Sequence, residues 1–267
     1  HYESSGTYEV RGFNSSELNL AAFDAADNLA KIIDANTTLV ISVRAGKDLD
    51  PLKTFERDIA ITNNVARAIA ITPVKKCIYF SSISVYGETV ENVNITEETE
   101  ISPTSLYGIS RVAGEFAIKN AAEKLGTPLT IFRPCMIYGP GGRVLPYGPD
   151  LFLKCVLEDA PIKIFGEGTE IRDYLYIQDL VEVIKYFIYN DLPGTYLLGT
   201  GQNRSFIDVI ECIKKVTQRN VSIDKVKQTQ SKINQKLNVQ KLIKTFPEVS
   251  FTLFEKGMCD TFEQTKN

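Results

Sequence analysis

The pattern that most constrains this chain is an alternation. Between residues 39 and 133, short apolar, β-branched runs are separated by long segments with helical patterning. Candidate strands fall at Leu39–Val43, Cys77–Ser82 and Leu129–Arg133, with Pro51–Ile71 and Thr104–Leu125 helix-like between them. Strands alternating with helices of this length are joined by crossovers, and crossovers make a parallel sheet. The helix limits are signalled locally. Asp50 is a plausible N-cap ahead of Pro51, whose fixed φ suits the first helical position, while the second helix opens after Pro103 and closes at Gly126. Upstream, Tyr8–Phe13 and Leu18–Ala22 read as further strands, and Asp24-Ala25-Ala26-Asp27 opens a helix reaching to about Ile33.

Composition narrows the classes of function. At 267 residues the chain can bury a sizeable core as one large domain or two smaller ones. Its 43% hydrophobic and 24% charged residues, with a net charge of −3, describe an ordinary globular protein. Lys and Arg are scattered without a stripe, so no nucleic-acid partner is expected. No apolar run approaches the length of a membrane span and no signal-peptide hydrophobic region opens the chain, which leaves a cytoplasmic protein with no membrane partner as the expectation. The sole histidine is His1, which argues against Ser-His-Asp hydrolysis and histidine-based zinc sites; no metal is expected. Cys77, Cys135, Cys155, Cys212 and Cys259 have no C-x-x-C spacing and sit mostly within apolar runs, as buried free thiols do.

The chemistry is concentrated in two short segments. Tyr107 and Arg111 stand four residues apart on a candidate helix, hence on one face, and Ser82 closes a candidate strand some twenty residues earlier. A cation one turn from a phenol favours its ionised form, and a strand-end hydroxyl can share a substrate oxygen with it. This combination can move a proton at a carbonyl or an alcohol. The usual cation of such a pattern is Lys; here it is Arg111.

Four segments in order, Phe80-Ser81-Ser82-Ile83-Ser84-Val85-Tyr86-Gly87, Ser105-Leu106-Tyr107-Gly108-Ile109-Ser110, Arg133-Pro134-Cys135-Met136-Ile137-Tyr138-Gly139-Pro140-Gly141 and Gly166-Glu167-Gly168-Thr169-Glu170-Ile171-Arg172-Asp173-Tyr174, carry a wider resemblance. In motif and spacing they resemble the extended short-chain dehydrogenase/reductases, in particular the nucleotide-sugar epimerase/dehydratase family typified by UDP-galactose 4-epimerase. The resemblance implies an α/β fold: a doubly wound, parallel-sheet Rossmann domain over residues 1–137 and a smaller C-terminal substrate domain over 138–267, with 179–200 returning to the first. The family's first strand and Gly-x-x-Gly-x-x-Gly turn are not in this sequence, and Tyr8-Glu9-Val10 matches its second strand. Residues 1–7 would then be the tail of the first helix, with roughly thirty residues expected ahead of them in a longer polypeptide.

Roles carry over residue by residue as expectations. Tyr107 would be the proton donor or acceptor, Ser82 its companion, and Arg111 the cation at the nicotinamide ribose. Asn14, Asp24, Ala25, Ser81 and Arg133, with Tyr107 and Arg111, would line an NAD or NADP site. Asn14 stands where an acidic residue commonly marks NAD preference and leaves that choice open, and Asp24 reads equally as a ligand of the adenine amine or as a helix N-cap. Ser84, Met136 and Arg172 would face the nucleotide-sugar, Arg172 clamping its diphosphate, although Met136 replaces an Asn of the 4-epimerase pattern. Dehydration is disfavoured, because Ile83 and Ser84 occupy the places of the Asp-Glu pair that elimination needs. What remains is an NAD(P)-dependent epimerase (an isomerase) or a 4-keto-sugar reductase (an oxidoreductase). The alternative is a homologue that binds a nucleotide-sugar without turnover. A homodimer through Pro51–Ile71 and Thr104–Leu125 is expected, from apolar positions such as Ile59, Ile61, Val65, Val112 and Phe116. If Arg111 merely substitutes for the lysine, Arg111→Lys should maintain or raise activity.

Overall fold

A computed structural model of the chain describes residues 9–46, 48–89, 91–141, 148–227 and 233–265. The chain forms two compact units, one of His1–Tyr79 with Ser110–Leu129, the other of Phe80–Ile109 with Thr130–Asn267.

In the first unit, α1 (Ala25–Ala30) precedes β1 (Thr38–Ile41), α2 (Pro51–Ile71) and β2 (Lys76–Phe80, its last residue in the second unit). The unit also holds α3 (Leu106–Lys124) from Ser110 onward. Helix α2 has the limits expected from sequence: Asp50 accepts the Leu52 N–H at 2.9 Å and Pro51 takes the first helical position. Its inward stripe includes Ile61, Val65, Ala68 and Ile69. Asn64, buried on the same helix, donates to the carbonyls of Leu20 and Ala22 and so fixes the turn before α1. Strand β1 pairs parallel with β2, from Thr38 opposite Lys76 to Ile41 opposite Tyr79. Gly114 of α3 packs where a side chain would collide with the Tyr79 hydroxyl.

The second unit continues with a 3-10 turn at Ile83–Tyr86, β3 (Asn92–Ile95), β4 (Leu129–Pro134), β5 (Met136–Tyr138) and α4 (Pro149–Leu157). Then follow β6 (Ile162–Phe165), β7 (Ile171–Tyr176), α5 (Ile177–Tyr189), β8 (Gly194–Leu198), β9 (Asn203–Ser205), α6 (Phe206–Thr217), β10 (Ile223–Val226), β11 (Gln235–Leu237), α7 (Gln240–Thr245) and α8 (Phe254–Thr265). Strand β4 pairs parallel with β8, and the Ser81 N–H donates to the Phe132 carbonyl at 2.7 Å. The pairs β1-β2 in the first unit and β4-β8 in the second are both parallel. Smaller sheets pair β6 with β10, β3 with β11, and β5 with β7 and β9. One core is aromatic, with Phe132 edge-on to Phe187 at 5.0 Å and Phe187 edge-on to Tyr196 at 4.7 Å. Another gathers Tyr138, Phe152, Val156, Ile164, Tyr174, Ile210, Phe254 and Met258.

The parallel α/β architecture is the one expected; the upstream strands are not found. Residues 9–14 carry no strand and are exposed, and 15–24 run through turns. The backbone there is satisfied locally, Leu18 N–H to the Asn14 carbonyl at 2.9 Å and Ala22 N–H to the Asn19 carbonyl at 3.0 Å. A strand exists only where a neighbour supplies the alternate donors and acceptors, and β-branched composition does not supply them. Tyr8 and the helix tail expected at residues 1–7 lie outside the described residues.

Burial decides the reactivity of the thiols. Cys77, Cys135 and Cys212 are buried, Cys155 is partly covered and Cys259 is exposed. Burial pushes the Cys77 thiol up to about 12 and the Cys212 thiol up to about 11, with Cys135 also well above the ordinary value. In native protein treated with dithionitrobenzoate and mapped by mass spectrometry, Cys259 is expected to react first. Cys77, Cys135 and Cys212 should react only on unfolding; rapid labelling of Cys77 in folded protein would contradict this packing.

Candidate functional site

In the second unit the backbone leaves β2 in extended conformation at Ser82, φ −163° and ψ 155°, and Ser82 caps the 3-10 turn by accepting the Ser84 N–H at 3.1 Å. Its hydroxyl donates to the Ser84 hydroxyl at 3.2 Å, which donates to a Glu88 carboxylate oxygen at 2.7 Å. Ser82 and Ser84 are buried. The result is a hydroxyl, hydroxyl, carboxylate chain leading from the end of β2 to a partly exposed acid.

Three backbone donors and a glycine bring the start of α3 to this turn. Glu88 and Thr89 donate through their N–H groups to the Thr104 hydroxyl at 2.9 and 3.3 Å, and Ser102 N–H donates to the Val85 carbonyl at 2.9 Å. Ser105 then accepts the Gly108 N–H at 3.1 Å, satisfying a donor of the first helical turn. At Gly108 a Cβ would lie 2.5 Å from the Ser84 carbonyl oxygen and 3.0 Å from the Pro103 Cβ. Only a residue without a side chain permits that approach. Half-buried Tyr107, the preceding residue, therefore stands in the first turn of α3, next to the glycine pressed on the turn that Ser82 heads.

The other expected ligands of this unit are held internally. Arg133 is buried, donates to the Tyr86 hydroxyl at 2.6 Å and to the Glu97 carbonyl at 3.5 Å, and lies 5.0 Å above the Tyr86 ring centre. Ser81 is buried beneath Ser82 in sequence, its N–H spent on the sheet. Arg172 donates to the carbonyls of Ile171 and Ile233 at 2.9 and 2.5 Å and pairs with Glu170 at 3.2 Å. Asp173, its neighbour, instead accepts from Thr200 and from the Gly201 N–H, and burial raises its pKa. Met136 is half-buried beside the aromatic core and touches Gly148.

In the first unit, Arg111 is 3% exposed and its Nη2 pairs with the Asp58 carboxylate at 2.8 Å, Asp58 being 2% exposed. Its Nη1 donates to the Val43 carbonyl at 3.3 Å. The same Asp58 oxygen accepts the Ala45 N–H at 2.8 Å, and its other oxygen accepts from Ser110 at 3.4 Å. Removing one partner of such a buried pair costs about 3–5 kcal/mol, because the other charge stays buried without it. Asn14 does not end a strand. It is exposed in a turn, accepting from the Ser16 N–H at 2.9 Å while its own N–H donates to Glu17 at 2.9 Å. Asp24 is exposed, makes no side-chain cap, and accepts from the Asn28 amide at 2.9 Å, whereas Ala25 is buried.

Asp58 and Glu88 were not singled out in the sequence. Asp58 carried a signal, since it stands three residues before Ile61 and seven before Val65, on the stripe that α2 buries. Glu88 carried none, because only the turn geometry brings it back to Ser84.

A Rossmann-like parallel sheet, with the start of α3 seated against the turn that Ser82 caps, is the scaffold of the extended short-chain dehydrogenase/reductases. The chain belongs to the NAD dependent epimerase/dehydratase family, whose model matches residues 3–199. It is 26% identical over 277 residues to the UDP-glucuronate 4-epimerase of Thermodesulfobacterium geofontis (strain OPF15), covering 95% of this chain and 80% of the relative. It is 29% identical over 156 residues to YtcB, an uncharacterized UDP-glucose epimerase of Bacillus subtilis (strain 168), covering 56% of this chain; the match spans 47% of that relative's length. The fold matches that of the UDP-glucose 4-epimerase of Thermus thermophilus in complex with NAD, with a TM-score of 0.80 at 21% identity, over 93% of this chain and 83% of that one.

The close approach at Gly108 can be checked directly. Gly108→Ala is expected to force α3 off the turn and lower stability by about 1–3 kcal/mol, the range for overpacking a filled site. Urea unfolding measures it, and an unchanged midpoint would mean that the helix start does not press on Ser84.

Proposed function

We propose that this chain carries the proton-transfer centre of an NAD-dependent nucleotide-sugar 4-epimerase or 4-keto-sugar reductase. Residues 1–137 would serve the dinucleotide and 138–267 the nucleotide-sugar, with 179–200 returning to the first. The observation that carries this reading is the seating of the Tyr107 turn of α3 against the turn capped by Ser82. Tyr107 accepts the proton of the sugar hydroxyl as the C–H bond beside it is broken, and returns it when the carbonyl is reduced. Ser82 holds the same oxygen and is itself oriented by its bonds to Ser84. NAD, when bound, supplies the acceptor and later the donor of the hydride. An epimerase would need Tyr107 both to take the proton and to return it on one sugar; a reductase would need only the delivery.

The exposed polar residues of the first unit fit such a cofactor. Asn14 and Asp24 offer exposed polar groups suited to ribose hydroxyls and an adenine amine. Glu17, hydrogen-bonded to the Asn14 N–H, places a carboxylate where a 2′-phosphate would be repelled, which supports NAD over NADP. Arg172, already directed by Glu170 and two carbonyls, is a candidate for the substrate diphosphate, and Ser84 and Met136 for the sugar. Sugar-nucleotide relatives acting at the 4-position support the substrate class.

Tyr107→Phe in the full-length protein is expected to lower turnover by about 10²–10⁴-fold while nucleotide-sugar binding stays nearly intact, since the lost hydroxyl matters chiefly in the transition state. Steady-state assays with UDP-sugars and 4-keto sugars, alongside calorimetric binding, test it. A second reading, a nucleotide-sugar-binding protein without turnover, is favoured by the engagement of Arg111 with Asp58. Binding by the wild type with no hydride transfer on any of these sugars would select that second reading.

We also propose a homodimer through α2 and α3. Of the apolar positions expected to lie outside the core, Ile61 and Val65 are buried and Ile59 and Val112 are partly covered, but Phe116 is 68% exposed. It borders an open groove shared by Ala66 and Ala70 of α2 and Ala117 and Ala121 of α3, small residues that let a second copy's helices approach. Light scattering at micromolar concentration is expected to give twice the chain mass for the wild type and the chain mass for Phe116→Asp. A monomeric wild type would end this proposal.

A further inference from the structure

The Arg at the place of the usual Lys has a partner that accounts for it. All five participants lie in the first unit: Asp58 on α2, Ser110 and Arg111 on α3, and the backbone of Val43 and Ala45 after β1. One Asp58 oxygen receives both the Arg111 guanidinium and the Ala45 N–H, each at 2.8 Å. The second Nη of Arg111 reaches past the carboxylate to the Val43 carbonyl at 3.3 Å. A planar guanidinium serves a carboxylate and a carbonyl from two separate nitrogens in fixed directions; an ammonium has three donors on one nitrogen, and the Asp58 carboxylate draws that atom away from the Val43 carbonyl. Deep burial of both charges makes this a committed arrangement, because neither ion can be resolvated when the other is removed.

We propose that Asp58 is a positioning residue, and that Asp58 and Arg111 form one functional unit that fixes the Val43–Ala45 segment against α3. That segment follows β1 in the sheet, and parallel α/β sheets bind their ligands beyond the carboxyl ends of the strands. The unit's task is to hold the segment at the nicotinamide side of the dinucleotide, so this inference rests on the function proposed above. Arg111 is then no simple stand-in for lysine. Arg111→Lys alone leaves Asp58 competing with Val43 for one ammonium and loosens the segment, contrary to the maintained or raised activity expected from sequence. Asp58→Asn alone leaves a buried guanidinium facing an amide. In the double variant the Asn oxygen still accepts the Ala45 N–H, while the compact ammonium, no longer drawn to a carboxylate, can bond the Val43 carbonyl and the ribose hydroxyls.

The test is a double-mutant cycle in the full-length protein, with NAD affinity by titration calorimetry as the primary reading and kcat and KM for the nucleotide-sugar as the second. Each single variant is expected to bind NAD about tenfold more weakly, as for groups in direct contact, with KM for the sugar little changed. The double variant should recover to within about threefold of wild type. Circular dichroism gives the folded fraction of each sample, and Asp58→Glu with Arg111 retained guards against a single variant that fails to fold. It keeps the charge but displaces the carboxylate by one methylene, and should weaken NAD binding while remaining folded. Losses that multiply in the double variant, or that match the lost folded fraction, would overturn the proposal. So would an unaltered NAD affinity in Arg111→Lys. A wild type that binds NAD without turnover removes the catalytic reading alone, because the NAD arm still decides the role of this pair.

Discussion

The contact on which the candidate centre depends is a backbone one: the start of α3 lies so near the Ser84 carbonyl that residue 108 can carry no side chain. The placement of the candidate cluster follows from this. The turn that closes on Val85 and Thr104 fixes where the helix can begin, Ser105 satisfies a donor of its first turn, and Tyr107 is then placed by helical geometry alone. Because the tyrosine stands on a regular helix and the serine at the end of a sheet strand, both are held by elements with paired backbones. Such elements position catalytic groups more tightly than loops do.

A second constraint is the handling of buried charge. Arg111, Arg133 and Arg172 are each engaged from within the protein, by Asp58 and Val43, by Tyr86 and Glu97, and by Glu170 with two carbonyls. A guanidinium has five donors, and in a site closed to water each needs an acceptor or carries a desolvation cost. These partners fix the orientation of the arginines from within the protein. For Arg172 the carbonyls leave it directed, at 15% exposure, with a charge that Glu170 offsets only in part. For Arg111 burial is nearly complete, so its influence passes through what it holds.

The same reasoning separates Asn14 and Asp24 from the others. Both are exposed and bonded to near neighbours in sequence, Ser16 and Glu17 for the first and Asn28 for the second. Local bonds of this kind order a turn at small entropic cost and leave the side chain within reach of a ligand.

Much of the chain was legible from its residues. Helix α2 begins and ends at the residues expected, because Asp50 and Pro51 act on the backbone next to them, and α3, β2 and β4 were placed to within a few residues by hydrophobic period and by Gly126. The four motifs named the family, and Ser82 and Tyr107 emerged with them. Sequence failed where the cause was distant. Tyr8–Phe13 has a strand's composition, yet its described part has no strand, since pairing is decided by a neighbour. Arg111 read as a cation for the cofactor, and only the tertiary structure set Asp58 against it, 53 positions away. Short-range signals such as caps, turns and periodicity are written into adjacent residues. Whether a charge faces a ligand or a buried carboxylate depends on which helices pack together, and packing is fixed by the whole chain.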